Sequence, residues 1–108
     1  MRDDTQRCRD MLEAIEKIRQ KSDGILENQA DEMLQVWVIH HLQIIGEAAY
    51  KVSEEFKKEN DEIAWAKIIG TRHLLVHGYF LIDTKLLWQT IKEDLPALKK
   101  QLQRILAK

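Results

Sequence analysis

The fold this sequence predicts is all-α: an antiparallel bundle of four to five helices in one domain over residues 1–108. Two observations carry that expectation. Apolar residues recur at steps of three and four along most of the chain, the period of one helix face. Turn formers are scarce, with one Pro and four Gly, too few for a fold built on many tight turns. The length supplies one modest core and not two.

Residues 3 to 20 form the first expected helix. Asp3 or Asp4 can cap it, and Cys8, Met11, Leu12, Ile15 and Ile18 share its inner face. Its outer face is charged, as in an amphipathic bundle helix. Ser22-Asp23-Gly24 reads as a turn. A long second helix is expected over residues 31 to 58, capped by Asp31. Its core seam is Leu34, Val38, Leu42, Ile45, Ala49, Val52 and Phe56. Val36, Trp37, Ile39 and Ile44 fall off that seam and leave the first half apolar nearly all round. A chain this short has few internal layers to cover a second apolar face, so a homodimer is expected. Gly46 costs helix propensity, and close approach of another backbone is the expected compensation.

A charged break follows at residues 57 to 61, with Asn60 or Asp61 capping one or two short helices over residues 62 to 77. Ile63, Ala64, Trp65, Ile68 and Ile69 should face inward, as should Leu74, Leu75 and Val76. Gly78 should close this stretch as a left-handed cap. After an apolar connector at residues 79 to 82, Asp83 caps a last helix through Ala107. Leu86, Leu87, Ile91, Leu95, Leu98, Leu102 and Ile105 lie on its inner face, and Pro96 should kink or restart it.

Composition narrows the function classes. Apolar residues at 44% and charged residues at 32% give a globular balance and not a disordered one. The formal charge is −1, so any nucleic-acid surface must be a local patch. The single Cys8 cannot form an internal disulfide, which fits a reducing compartment. No signal-peptide pattern is read, and the longest apolar run, Val36 to Ile39, is far too short to span a membrane. A cytoplasmic protein without a membrane partner is the expectation.

Groups able to do chemistry near neutral pH concentrate in one stretch, Gly70-Thr71-Arg72-His73-Leu74-Leu75-Val76-His77-Gly78-Tyr79. Histidine can take or give a proton there, and arginine stays charged and suits phosphate oxygens. His73 and His77, four apart, would share a helix face as two zinc ligands do. A zincin needs Glu after the first His, where this chain has Leu74. His40, His41 or Cys8 could add a ligand, but no spacing in the sequence points to one, and no metal or other cofactor is expected. The residue types alone also suit a solvated helix whose Arg and His pair with glutamates. Acid–base cleavage of RNA is the sharper reading. RNA carries its own nucleophile, the 2′-hydroxyl, so histidines can move the protons while arginine stabilises the charged phosphorus. On an ideal helix Arg72 and His77 would be splayed by about 140°. Arginine's length, or the end of the helix, could bring them together.

Arg72-x4-His77-x-Tyr79 resembles the signature of the HEPN superfamily, specifically the HepT-like toxins of HEPN–MNT toxin–antitoxin pairs. Ile45-Gly46-Glu47-Ala48, Ile63-x-Trp65, Asp83, Trp88 and Leu95-Pro96-x-Leu98 extend the resemblance over nearly the whole chain. Two positions depart from the pattern: His73 stands where the family often has Asn, and Ala64 where it often has Pro. The resemblance implies a HEPN-type bundle and a metal-independent endoribonuclease toxin that acts as a dimer on RNA. By that implication Arg72 and His77 are catalytic, and His73 supports them. Tyr79 resembles the tyrosine that a cognate MNT nucleotidyltransferase antitoxin modifies with AMP, silencing the toxin. A two-fold dimer would also supply the second histidine that two-His catalysis needs. The alternative is a non-catalytic HEPN partner subunit that binds nucleotide or nucleic acid and docks a nucleotidyltransferase.

Glu47 lies off the core seam, on the side of His40 and Gln43. It reads either as a solvated or helix-paired glutamate or as a group that orients Arg72. Lys99, Lys100, Arg104 and Lys108 suit a helix end favoured by the dipole, or a phosphate track.

Overall fold

The computed structural model describes residues 3–77 and 81–108, the side chains of Arg72 and His77 excepted. It is an all-α bundle. Helix α1 spans Asp4–Ser22, α2 Glu32–Lys51, the short α3 Glu54–Glu59 and α4 Trp65–Leu75. Two-residue strands follow, β1 at Val76–His77 and β2 at Leu81–Ile82. Helix α5 (Thr84–Gln89) then runs through a π-helical turn at Thr90–Asp94 into α6 (Leu95–Leu106). One 3₁₀ turn, Glu27–Gln29, lies between α1 and α2.

The sequence left two aspartates as candidate caps for α1, and the structure divides the work between them. Asp3 is the cap: Oδ1 accepts from the Gln6 N–H at 2.8 Å, and the Gln6 side chain accepts from the Asp3 N–H at 2.9 Å. Asp4 reaches across the bundle instead. Its carboxylate accepts from the Ser53 N–H at 2.9 Å and from the Ser53 hydroxyl at 2.7 Å. At the opposite end, Trp37 Nε1 lies 3.4 Å from Lys17 O. The start of α1 thus meets the end of α2, and the end of α1 meets the start of α2, so the pair is antiparallel. The same logic orders α4 and α6: Gln101 Nε2 donates to Glu62 O at 3.0 Å, and Lys67 Nζ stands 3.5 Å from Asp94 Oδ2. Exposed ion pairs of this kind are worth only about 0–1 kcal/mol. They report the topology; burial holds it.

The core confirms the main apolar seams. Cys8, Met11, Ile15 and Ile18 of α1 are buried with Val38, Leu42, Ile45 and Ala49 of α2, and with Leu87, Ile91, Leu95, Leu98 and Leu102 further on. Fully burying one such leucine contributes roughly 1.5–3 kcal/mol. Gly24 takes φ +77° in the predicted turn after α1, a conformation glycine adopts without strain.

Several boundaries differ from the expectation. The second helix does not run to residue 58. It stops at Lys51, Val52 turns extended, and Ser53 caps the separate α3 through a 3.2 Å bond from the Phe56 N–H. The Asp4 carboxylate holds Ser53 at this break. Asn60 does not cap the start of the next helix. It closes α3, its side-chain amide donating to Phe56 O, while its own carbonyl accepts from Trp65 Nε1 at 3.1 Å. Ala64 is exposed, not inward. Leu74 is 52% exposed, which removes it from the core predicted around Leu75. Residues 76 and 77 are strand and not helix. Pro96 does restart the last helix: the backbone widens just before it, where the Leu95 N–H donates to Thr90 O five residues back.

Candidate functional site

Helix α4 carries the first part of the 70–79 segment and ends at Leu75. Arg72 and His73 stand in its last turn. Val76 pairs with Ile82, and His77 pairs with Leu81, antiparallel. β-Branched Val76 and Ile82 favour this extended backbone. Asp83 closes the pairing: its N–H donates to Leu75 O at 2.8 Å, and its Oδ1 caps α5 at the Leu86 N–H, 3.0 Å away. This switch from helix to strand overturns the geometry of a continuous helix. His77 no longer follows α4, so the shared His73–His77 helix face does not form, and the 140° splay of an ideal helix does not govern Arg72 and His77. The side chains of Arg72 and His77 lie outside the described residues, as does Tyr79 and the cap expected at Gly78.

His73 is exposed and lines a cleft of about 290 Å³ between α2 and α4. Leu42, Gly46 and Ile69 are apolar or small elements of its wall; Gln43, Glu47, Tyr50 and Lys51 supply the polar and aromatic part. Gly46 lets the two helices approach. A Cβ built there would stand 3.4 Å from Ile68 O and 3.5 Å from Ile69 O. The close approach expected at Gly46 is therefore present, and it brings Glu47 and His73 into one cleft. Glu47 is itself held by the Gln43 side-chain amide, which donates to Oε1 at 3.3 Å. Gln43, Glu47 and Tyr50 lie on one face of α2 by helical spacing.

The remaining metal candidates are scattered. His41 is buried; its Nδ1 lies 2.8 Å from Trp37 O, a carbonyl that can only accept, so Nδ1 carries the proton. Its ring lies 4.3 Å from the Trp37 ring. Cys8 is sealed in the core, where burial first and the Asp4 carboxylate second push its thiol up to about 11. Among the described residues no three or more His, Cys, Asp or Glu side chains are grouped to hold a metal ion.

The C-terminal basic residues do not extend the His73 cleft. Lys99 and Lys100 line a separate groove between α1 and α6, and Lys99 stands 3.9 Å from Glu16. Tyr50 and Lys51 join this cleft although no motif in the sequence singles them out. Their spacing of three and four from Glu47 was the available signal.

The small all-α bundle, with an Arg-x4-His segment where its fourth helix gives way to strand, agrees with the HEPN-type bundle that the sequence resembles. The family model described as ribonuclease HepT-like matches residues 11–105. A protein of Thermococcus cleftensis named "Probable ribonuclease HepT" is 38% identical over 98 residues, 89% of each chain. A candidate RNase of Methanocaldococcus jannaschii is 34% identical over 96 residues, 87% of this chain and 88% of its own. A candidate RNase of Caldanaerobacter subterraneus subsp. tengcongensis is 36% identical over 78 residues, 72% and 70% of the two chains. No solved structure gives a significant match. The chain belongs to the ribonuclease HepT-like family. Among its described residues no helix is long and apolar enough to cross a membrane.

Proposed function

We propose that this chain is a metal-independent endoribonuclease, the toxin of a type VII-like HEPN–MNT toxin–antitoxin pair that acts in the cytoplasm. The observation that carries the reading is the Arg72-x4-His77 segment inside a chain of the HepT-like family, beside a cleft that holds His73 and Glu47. RNA supplies the nucleophile. His77 moves the proton of the 2′-hydroxyl, Arg72 stabilises the negative charge on the pentacoordinate phosphorus, and the 5′-oxygen leaves protonated. The products are a 2′,3′-cyclic phosphate and a 5′-hydroxyl.

A homodimer completes the site, with His77 of each protomer serving one phosphate as base and acid. The exposed apolar residues Met33, Val36 and Trp37 on α2 support an interface there. His73 and Glu47 support the catalytic pair. Tyr79, two residues past His77, is the acceptor of AMP from the cognate MNT nucleotidyltransferase. The added phosphate pairs with Arg72 and competes for the charge that the scissile phosphate needs.

The test is incubation of the purified protein with total RNA in EDTA. Cleavage that survives chelation and leaves 2′,3′-cyclic phosphate ends is the expected result. A 3′-hydroxyl product, or complete loss of activity in EDTA, would reject the mechanism. RNA binding with no cleavage under any condition would instead identify the non-catalytic partner subunit.

A further inference from the structure

We propose that Tyr50 is a stacking platform for an unpaired base of the RNA, with Lys51 on the adjoining phosphate, so that the substrate is single-stranded at the cut. The inference rests on the ribonuclease reading and adds the form of the substrate. Tyr50 is 70% exposed. Among the described residues its ring meets no other ring and its hydroxyl has no hydrogen-bond partner. A large aromatic side chain left this open gains little for the fold. Yet it lines a cleft that also holds His73 and Glu47, on the same face of α2 as Gln43 and Glu47.

The neighbours suit a nucleotide. Lys51 lines both this cleft and the adjacent groove between α1 and α2, where Arg7 and Lys17 stand among Asp10, Glu13 and Glu47, with Lys17 3.5 Å from Glu13. No carboxylate lies at ion-pairing distance from Lys51 among the described residues. Glu47 lines both hollows and would repel a phosphate placed over it, so a phosphate belongs against the Lys51 ammonium itself. The Gln43–Glu47 pair is then left to face the edge of the base, where amide and carboxylate can hydrogen-bond. Single-stranded RNA is recognised in this way, by bases splayed onto aromatic rings beside a cationic track. In an A-form duplex the base faces are already stacked and offer Tyr50 nothing.

The experiment uses the full chain and a single-stranded oligonucleotide that carries 2-aminopurine beside a 2′-O-methylated cleavage site. Binding of the unmodified protein should quench the fluorophore, and a duplex of the same sequence should not compete. Tyr50→Ala should lose the quench, weaken binding about tenfold and raise KM about tenfold on a cleavable strand, with kcat within about twofold. Tyr50→Phe should keep all three. Unchanged quench and KM in Tyr50→Ala would overturn the platform while cleavage by the unmodified protein left the ribonuclease reading standing. Tyr50-dependent quenching in a protein that cleaves nothing would uphold the platform and reject that reading. Conversion of a dimer to monomers by Tyr50→Ala would make Tyr50 an interface residue and overturn the proposal.

Discussion

The carbonyl oxygen of Ile68 stands 3.4 Å from the point that a Cβ on Gly46 would occupy. That distance is ordinary van der Waals contact, so the α2–α4 crossing has room for a methyl group and little more. Gly46→Ala gains helix propensity of about 1 kcal/mol and meets only a snug fit, so its stability should stay within about 1 kcal/mol of the parent. Gly46→Leu should lose about 1–3 kcal/mol by overpacking, and by prising the helices apart it should lower RNA cleavage. Urea denaturation of the two variants checks both signs.

Arg72→Ala and His77→Ala should each reduce RNA cleavage at least ~10²-fold, with helical content and oligomeric state unchanged. A His77→Ala protein that remains dimeric and fully active would remove His77 from the mechanism.

The proposed dimer interface is best probed where the structure exposes apolar side chains. Val36 is 54% and Met33 82% exposed, whereas Ile39 and Ile44, also expected to face a partner, pack partly against their own core. Val36→Glu should therefore give a folded monomer with little activity. Light scattering that finds the unmodified protein monomeric at micromolar concentration would count against a shared active site.

Co-expression with the cognate nucleotidyltransferase should add one or more AMP units to Tyr79 and abolish cleavage, and Tyr79→Phe should escape the modification. Mass spectrometry locates the adduct. An adduct elsewhere, or one on Tyr79 that leaves cleavage intact, would reject the switch.

Cys8 should make alkaline stability measurable. Burial and the nearby Asp4 raise its thiol from 9.0 to about 11. The folded chain keeps a proton that the unfolded chain releases near pH 9, so this stability is complete below that pH and fades as pH rises toward 11. The loss across that window is roughly 2–3 kcal/mol. Denaturation midpoints at pH 8 and 10.5 should fall more steeply for the parent than for Cys8→Ala. The native thiol should also react slowly with alkylating agents at pH 8.

Most of the fold was legible because its information is local. Met11, Ile15 and Ile18, or Leu95, Leu98 and Leu102, repeat at a helical period, and burial follows the period. The boundaries that failed join local caps to distant partners. Lys51 to Lys58 carries a local helix start, Ser53 capping the Phe56 N–H, and Asp4, 49 residues earlier, holds that same Ser53. Asn60 is a credible cap in either direction, and Trp65 Nε1 on its carbonyl helps settle which.

The sequence by itself determined the helical class, the apolar seams, the Arg72-x4-His77 spacing and a point of close approach at Gly46. Each is a matter of residue type and interval, which the chain carries into any conformation. Tertiary structure alone decided that α4 ends at Leu75, that His77 enters a strand paired with Leu81, and that Glu47, His73 and Tyr50 line one cleft. These depend on how α2, α4 and the Asp83 cap pack against one another. A backbone leaves its helix, or two helices touch, only when bonds and contacts from elsewhere in the chain make that arrangement the lower in free energy.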